Sequence, residues 1–264
     1  MIRFLTIAVL FISTSSAIAN LFSSPQYRRN DIVAKIQDAP YVASLFINKK
    51  LKCGAVIITD SFLLTSADCL QFDDVTVYEI RTGSLSLNYG GTIHKVEYLL
   101  RHPKFQINNV KLPVDDIGLV KVRGTFLFDG TRDAIPIFPH KYLLTGSYGK
   151  IFGWGLTDST YPIQLRTGPV TIDNVERCND HFQGFLPNGQ ICAISTAPKV
   201  PCDRDSGGPL VVGIHLVGII SWGKECIVNN QPHAYTFVSF YREWIDESIN
   251  NYMNRDKKLY GYRY

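Results

Sequence analysis

Short runs of apolar, β-branched and aromatic residues, broken by glycine, asparagine and proline, recur along almost the whole chain, at 41–47, 55–64, 118–122 and 210–221 among others. Runs of that length bounded by turn residues predict strands, and many in succession predict an all-β sandwich or barrel. A helical period appears only near the end. There Tyr241, Trp244, Ile245 and Ile249 share one face between the charged Arg242, Glu243, Asp246 and Glu247, which predicts a helix over about 238–250. No internal repeat is visible.

The two ends of the chain do not follow the strand pattern. Met1, Ile2 and Arg3 precede an apolar run from Phe4 to Ile12 and a small-residue stretch ending in Ala-Ile-Ala, the layout of a secretory signal cleaved after Ala19. Residues 1–19 are therefore expected to be a signal peptide and the product to be secreted. The apolar run falls short of the ~20 residues needed to cross a bilayer, and no later stretch approaches that length. Residues 20–31, with Ser23, Ser24, Pro25, Arg28 and Arg29, predict a short propeptide or leader. Residues 251–264 read as a basic, tyrosine-rich tail.

Composition narrows the function classes. The chain has 264 residues, 45% of them hydrophobic, enough for one all-β unit with a sizeable core. Its formal charge is +4 before the signal and Arg3 are removed, too mild to argue for nucleic acid. Six cysteines in a secreted chain predict three disulfides, although their number alone leaves many pairings open. Histidines 94, 102, 140, 181 and 215 show no metal-ligand spacing, and neither a metal nor a cofactor is expected. There is no Asn-x-Ser/Thr sequon, so nothing predicts N-glycosylation.

Four segments carry a family resemblance. Leu51-Lys52-Cys53-Gly54-Ala55-Val56-Ile57-Ile58, followed by Leu63-Leu64-Thr65-Ser66-Ala67-Asp68-Cys69, resembles the trypsin/chymotrypsin stretch Cys-Gly-Gly-Ser-Leu-Ile and its Leu-Thr-Ala-Ala-His-Cys. Asp115-Asp116-Ile117-Gly118-Leu119-Val120 is similar to the family's Asn-Asp-Ile-Ala-Leu-Leu, and Gly153-Trp154-Gly155 follows it. Cys202-Asp203-Arg204-Asp205-Ser206-Gly207-Gly208-Pro209-Leu210, then Ser221-Trp222-Gly223 and Pro232-His233-Ala234-Tyr235, complete the series. The likeness implies two packed antiparallel six-stranded β-barrels with a C-terminal α-helix. It places a serine protease domain over 32–250, with barrel 1 at about 32–135 and barrel 2 at about 136–240. It also implies the pairs Cys53 with Cys69, Cys178 with Cys192 and Cys202 with Cys226.

In that family a histidine takes the serine proton, an aspartate orients the ring and backbone N–H groups hold the oxyanion. The resemblance assigns the serine to Ser206 and the orienting aspartate to Asp116, supported by Ser221. Asp68 stands where the histidine belongs. An aspartate is too short to span from Asp116 to Ser206, and its charge is expected to press on Asp116 and raise one carboxyl of the pair. An acid pair sharing a proton is the alternative reading of these two. Arg204 occupies the position of an oxyanion glycine, where a side chain is expected to disfavour the needed backbone geometry. In the specificity pocket, formed with Ser221, Trp222 and Gly223, His233 replaces a glycine and is expected to fill the space, or else to face away as a core residue. Val200 replaces the acid that selects Lys or Arg. Asp205 is expected to lack the new N-terminal amine that pairs with it in the family, because the Asp31-Ile32-Val33-Ala34 segment departs from the usual start.

From these departures the expectation is a non-enzyme, a secreted, monomeric serine protease homologue (pseudoprotease) with no functional catalytic residue that acts by binding a protein. The alternative is a serine endopeptidase with atypical or residual activity. The lost histidine, the unusual start and the tyrosine-rich tail further resemble the inactivated serine protease paralogues of mites. That likeness implies host complement proteins as partners, with no nucleic acid and no membrane involved.

Overall fold

The computed structural model describes residues 32–143, 145–155, 163–195, 204–223 and 231–260. The chain enters as strand β1 (Ile32–Val33) and then builds β2 (Val42–Ile47), β3 (Lys50–Ile57), β4 (Phe62–Thr65), β5 (Tyr78–Thr82) and β6 (Thr92–Arg101). A short hairpin, β7 (Gln106–Ile107) and β8 (Pro113–Val114), precedes β9 (Gly118–Val122). Strands β2-β3-β4-β9-β6-β5 close into an antiparallel barrel. The apolar runs read from the sequence are its staves. Leu45, Ile57, Leu63, Tyr78, Ile80 and Val120 are fully buried in its centre. In β5 the burial alternates, as a strand with one face on a core requires. Asn48 and Lys49 join β2 to β3 with φ of 50° and 64°, the backbone of a tight hairpin turn that matches strand twist.

The second half contributes β10 (Tyr148–Gly153), β11 (Arg166–Ile172), helix α1 (Val175–His181), β12 (Gln190–Ser195), β13 (Pro209–Val212), β14 (His215–Gly223) and β15 (Pro232–Phe237). The order β11-β10-β13-β14-β15-β12 closes through a β11–β12 pairing, giving a second six-stranded barrel. Strand β1 joins this second barrel, not the first, because Ile32 and Val33 pair with Thr167 and Arg166 of β11. Ile151, Leu210, Val217, Ile220 and Tyr235 fill its core. Between the barrels lies a third cluster that includes Val56, Leu64, Ile117, Phe152, Leu216 and Ile219.

Helix α2 (Arg242–Tyr260) closes the chain and runs beyond the expected end near residue 250, taking in part of the segment read as a tail. Packing explains the extension. Ile245 is buried and Trp244 and Ile249 pack beside it, on the face that the periodicity picks out. Tyr252 then lies 5.6 Å from the Phe62 ring and 5.0 Å from Tyr98, so the helix returns to the first barrel. Tertiary contact of this kind sustains helix where local propensity is weak. No helix of the described residues is long and apolar enough to cross a membrane.

Candidate active site

The site lies where the two barrels meet. Asp68 sits in a single 3-10 turn, Ala67–Cys69, directly after β4. The turn is held from both sides. The Ser66 hydroxyl accepts from the Asp68 N–H at 3.2 Å, and the Cys53–Cys69 disulfide ties the turn to β3. Asp116 enters from the opposite side. Asp115 has a φ of 52°, a left-handed bend that the Tyr241 hydroxyl secures by donating to its carboxylate at 3.0 Å. The bend turns Asp116 inward just before β9, where it is 1% exposed, and the Thr236 hydroxyl donates to its carbonyl at 2.7 Å.

Three donors converge on the Asp116 carboxylate. Ser66 Oγ donates to Oδ1 at 2.6 Å, the Asp68 N–H donates to Oδ1 at 3.0 Å, and Ser221 Oγ donates to Oδ2 at 2.5 Å. A carboxylate offers about four lone-pair sites, so these donors leave one open. The Asp116 carboxyl is pushed up by its burial, while the hydrogen bonds from Ser221, Ser66 and Asp68 pull it down. The charge of Asp68 is the smallest influence. The Asp116 carboxyl is thus raised in the expected direction, but desolvation is the main cause and the exposed Asp68 adds least.

Ser206 stands half-buried on the turn before β13, its hydroxyl 3.5 Å from the Ser221 carbonyl. The turn is anchored to the first barrel, since the Gly54 N–H donates to the Ser206 carbonyl at 2.9 Å. Close approach makes glycine necessary on both sides. A Cβ on Gly54 would stand 2.9 Å from Gly208 Cα, and one on Gly207, whose φ is 85°, would stand 2.2 Å from Thr65 Oγ1. Arg204 adopts a φ of 72°. That is the left-handed region that favours glycine, and an arginine held there carries backbone strain. Asp205 is buried, and its Oδ1 accepts from the Gly155 N–H at 2.7 Å. The space it needs is open because Gly153 has no side chain: a Cβ there would fall 1.8 Å from Asp205 Oδ1.

His233 lies in β15, where its backbone pairs with Gly223 of β14 and with Ala193 of β12. It is 5% exposed, and its ring lies over Gly223, where a Cβ would come within 2.0 Å of His233 Nδ1. Burial alone pushes this imidazole down to about 4. Trp222 is half-buried, its indole N–H donating to Gln190 Oε1 at 2.8 Å, with its ring 4.5 Å from Phe182. The structure thus brings together Asp68, Asp116, Ser206, Arg204 and Ser221, with Trp222, Gly223 and His233 forming a second group at the end of β14. The Cys178–Cys192 disulfide forms as the resemblance implied. Val200 and the expected Cys202–Cys226 pair fall outside the described residues. Sequence reasoning missed Ser66, whose hydroxyl is the closest donor to Asp116 Oδ1. The signal was present, since serine stands there in place of the alanine in the family stretch. Gln190, which supports Trp222, carried no signal.

Comparison with known proteins accounts for this arrangement. A family model described as Trypsin matches residues 30–245. Trypsin alpha of Drosophila melanogaster is 31% identical over 222 residues, 82% of this chain and 85% of its own. Lectizyme of Glossina austeni is 33% identical over 94% of this chain and 97% of its own. Among solved structures, neuropsin, a serine protease expressed in the limbic system of mouse brain, superimposes with a TM-score of 0.77 at 27% identity, covering 83% of this chain and 98% of that one. Relatives named as trypsins and as a serine protease overturn the expectation, drawn from Asp68, Arg204, His233, Val200 and the unusual start at Ile32, that this chain is not an enzyme. With two closed six-stranded barrels, a serine and a buried aspartate at their junction, and a family match across most of its length, the chain belongs to the trypsin family of serine proteases.

Proposed function

We propose that the chain is a secreted serine endopeptidase of atypical mechanism and low intrinsic rate, with Ser206 as its nucleophile. The observation that carries this reading is the Asp116 carboxylate, buried, held by three hydrogen bonds with one acceptor site open, and linked through Ser221 to the Ser206 hydroxyl. Ser206 attacks the substrate carbonyl as its hydroxyl proton passes to a water molecule, and a proton from that water reaches the amine nitrogen as the C–N bond breaks; a second water then hydrolyses the acyl-serine ester and restores the hydroxyl. The Arg204 and Ser206 N–H groups receive the oxyanion, a role for which the φ of 72° at Arg204 is the suitable backbone. Asp116 stabilises the positive charge on the water that takes the serine proton.

Asp68 changes the rate rather than the reaction class. Removing one member of such a triad costs about 10⁴–10⁶ in kcat, and the oxyanion donors and substrate binding alone retain roughly 10³–10⁴ over water. His233 over Gly223 shortens the pocket, and with Val200 in place of an acid the enzyme does not select Lys or Arg. The test is direct. The purified secreted protein is expected to hydrolyse peptides slowly and to be labelled by a fluorophosphonate, both lost in Ser206→Ala. Hydrolysis that persists in Ser206→Ala, or none in the wild type, refutes the reading.

A further inference from the structure

Asp116 is buried, holds three donors and has one acceptor site open, but no imidazole of this chain stands between it and Ser206. The residue at that position, Asp68, contributes only its backbone N–H to Asp116 and is itself exposed, whereas Asp116 is 1% exposed, so a ring reaches the open acceptor site only by displacing what covers it on the solvent side of this turn. A fourth donor facing Asp116 would meet a carboxylate already desolvated, where a cationic partner is stabilised most. The Asp68 charge, near enough to act on Asp116, adds to that preference. Resting on the endopeptidase reading above, we propose that the missing imidazole is supplied by the substrate: the chain cleaves peptides that carry a histidine on the acyl side of the scissile bond, close enough for its ring to enter between Asp116 and Ser206.

The steps balance without another reactant. One nitrogen of the substrate ring donates its N–H to Asp116, while the other takes the Ser206 hydroxyl proton as Oγ bonds to the carbonyl carbon. The resulting imidazolium then gives that proton to the amine nitrogen as the C–N bond breaks, which releases the C-terminal fragment and leaves an acyl-serine ester. The histidine remains on the acyl fragment, so it is still present when water attacks the ester. It takes a water proton and returns it to Ser206 Oγ as the ester bond breaks. A histidine on the leaving side would depart with the amine and leave deacylation without a base, which is why the acyl side is required.

The experiment walks a single histidine through an otherwise constant peptide and compares each member with its glutamine counterpart, reading cleavage sites by mass spectrometry. Cuts are expected at a fixed distance C-terminal to the histidine, about 10²–10⁴-fold faster than in the glutamine peptide, the usual worth of a positioned general base. They are expected to vanish in Ser206→Ala. In Asp68→His the enzyme carries its own ring, and the preference between the paired peptides is expected to collapse. The wild-type comparison stands by itself if that variant fails to fold. Equal cleavage of both peptides, abolished by Ser206→Ala, overturns this inference while leaving the endopeptidase reading in place. Cuts that fall only before the histidine overturn it too. No cleavage of any peptide sinks both.

Discussion

The buried imidazole of His233, lying over Gly223, ties stability to pH in a way that can be calculated. His233 is 5% exposed, and burial depresses its pKa from the ordinary 6.5 to about 4. A depressed histidine binds its proton more weakly in the fold than in the unfolded chain. Its contribution is therefore complete above the unfolded value near 6.5 and is lost as pH falls toward about 4. That shift corresponds to roughly 3 kcal/mol in full, and about 2 kcal/mol of it is already lost at pH 5. His233→Phe keeps a ring of similar shape over Gly223 and removes the titration. The measurement is the stability difference between wild type and this variant, from urea denaturation at several pH values, so that all other titrating groups cancel. The wild type is expected to lose about 2 kcal/mol against the variant between neutral pH and pH 5, or roughly 4–8 °C in Tm. A difference that stays constant across that range would refute the burial argument and show that the ring exchanges freely with solvent.

Three further substitutions check the parts of the frame that hold the site. Gly207→Ala places a Cβ at a φ of 85° and 2.2 Å from Thr65 Oγ1, so it is expected to destabilise by more than about 1 kcal/mol in a denaturation series. Replacing Cys53 and Cys69 together by Ala opens a loop spanning a sequence separation of 16 and is expected to cost about 3 kcal/mol, read in the same way without reductant. Ser66→Ala removes the donor 2.6 Å from Asp116 Oδ1, a charge-assisted bond of about 1.5–3 kcal/mol, and should lower peptide hydrolysis as well as stability.

How much of this was legible in the sequence depends on the scale of the feature. The strands were, because a run such as residues 41–47 buries most of its side chains and needs no partner to be recognised, although the run at 210–221 breaks into β13 and β14 at the exposed Gly213-Ile214 turn. The pairing of β1 with the second barrel was not, since two residues carry no register. Helix α2 was recognised by its apolar face but not in its length, because its later turns depend on Tyr252 reaching Phe62 and Tyr98 from the far end of the sequence. At the site, residue identities at matching positions were visible, and their conformations were not. Asp68 read as the main pressure on the Asp116 carboxyl, whereas the burial of Asp116 weighs more. Arg204 read as an oxyanion position where a side chain is costly, and the φ of 72° it adopts was not visible in the sequence.

The surroundings of Asp116 alter what Asp68 implies. A carboxylate that is 1% exposed and without donors would be strongly destabilising, yet Asp116 receives donors from the end of β4, from the turn after it and from β14. Even so, burial still outweighs them and raises its pKa. A group in that condition gains most from a cation placed beside it, because the low dielectric that penalises the lone charge also strengthens the pair. The electrostatics of the pocket thus favour an imidazolium whether or not this chain supplies the ring. What Asp68 removes is the covalent tether of the base, not the field that stabilises it. The rate therefore depends on which substrates can bring an imidazole into that field.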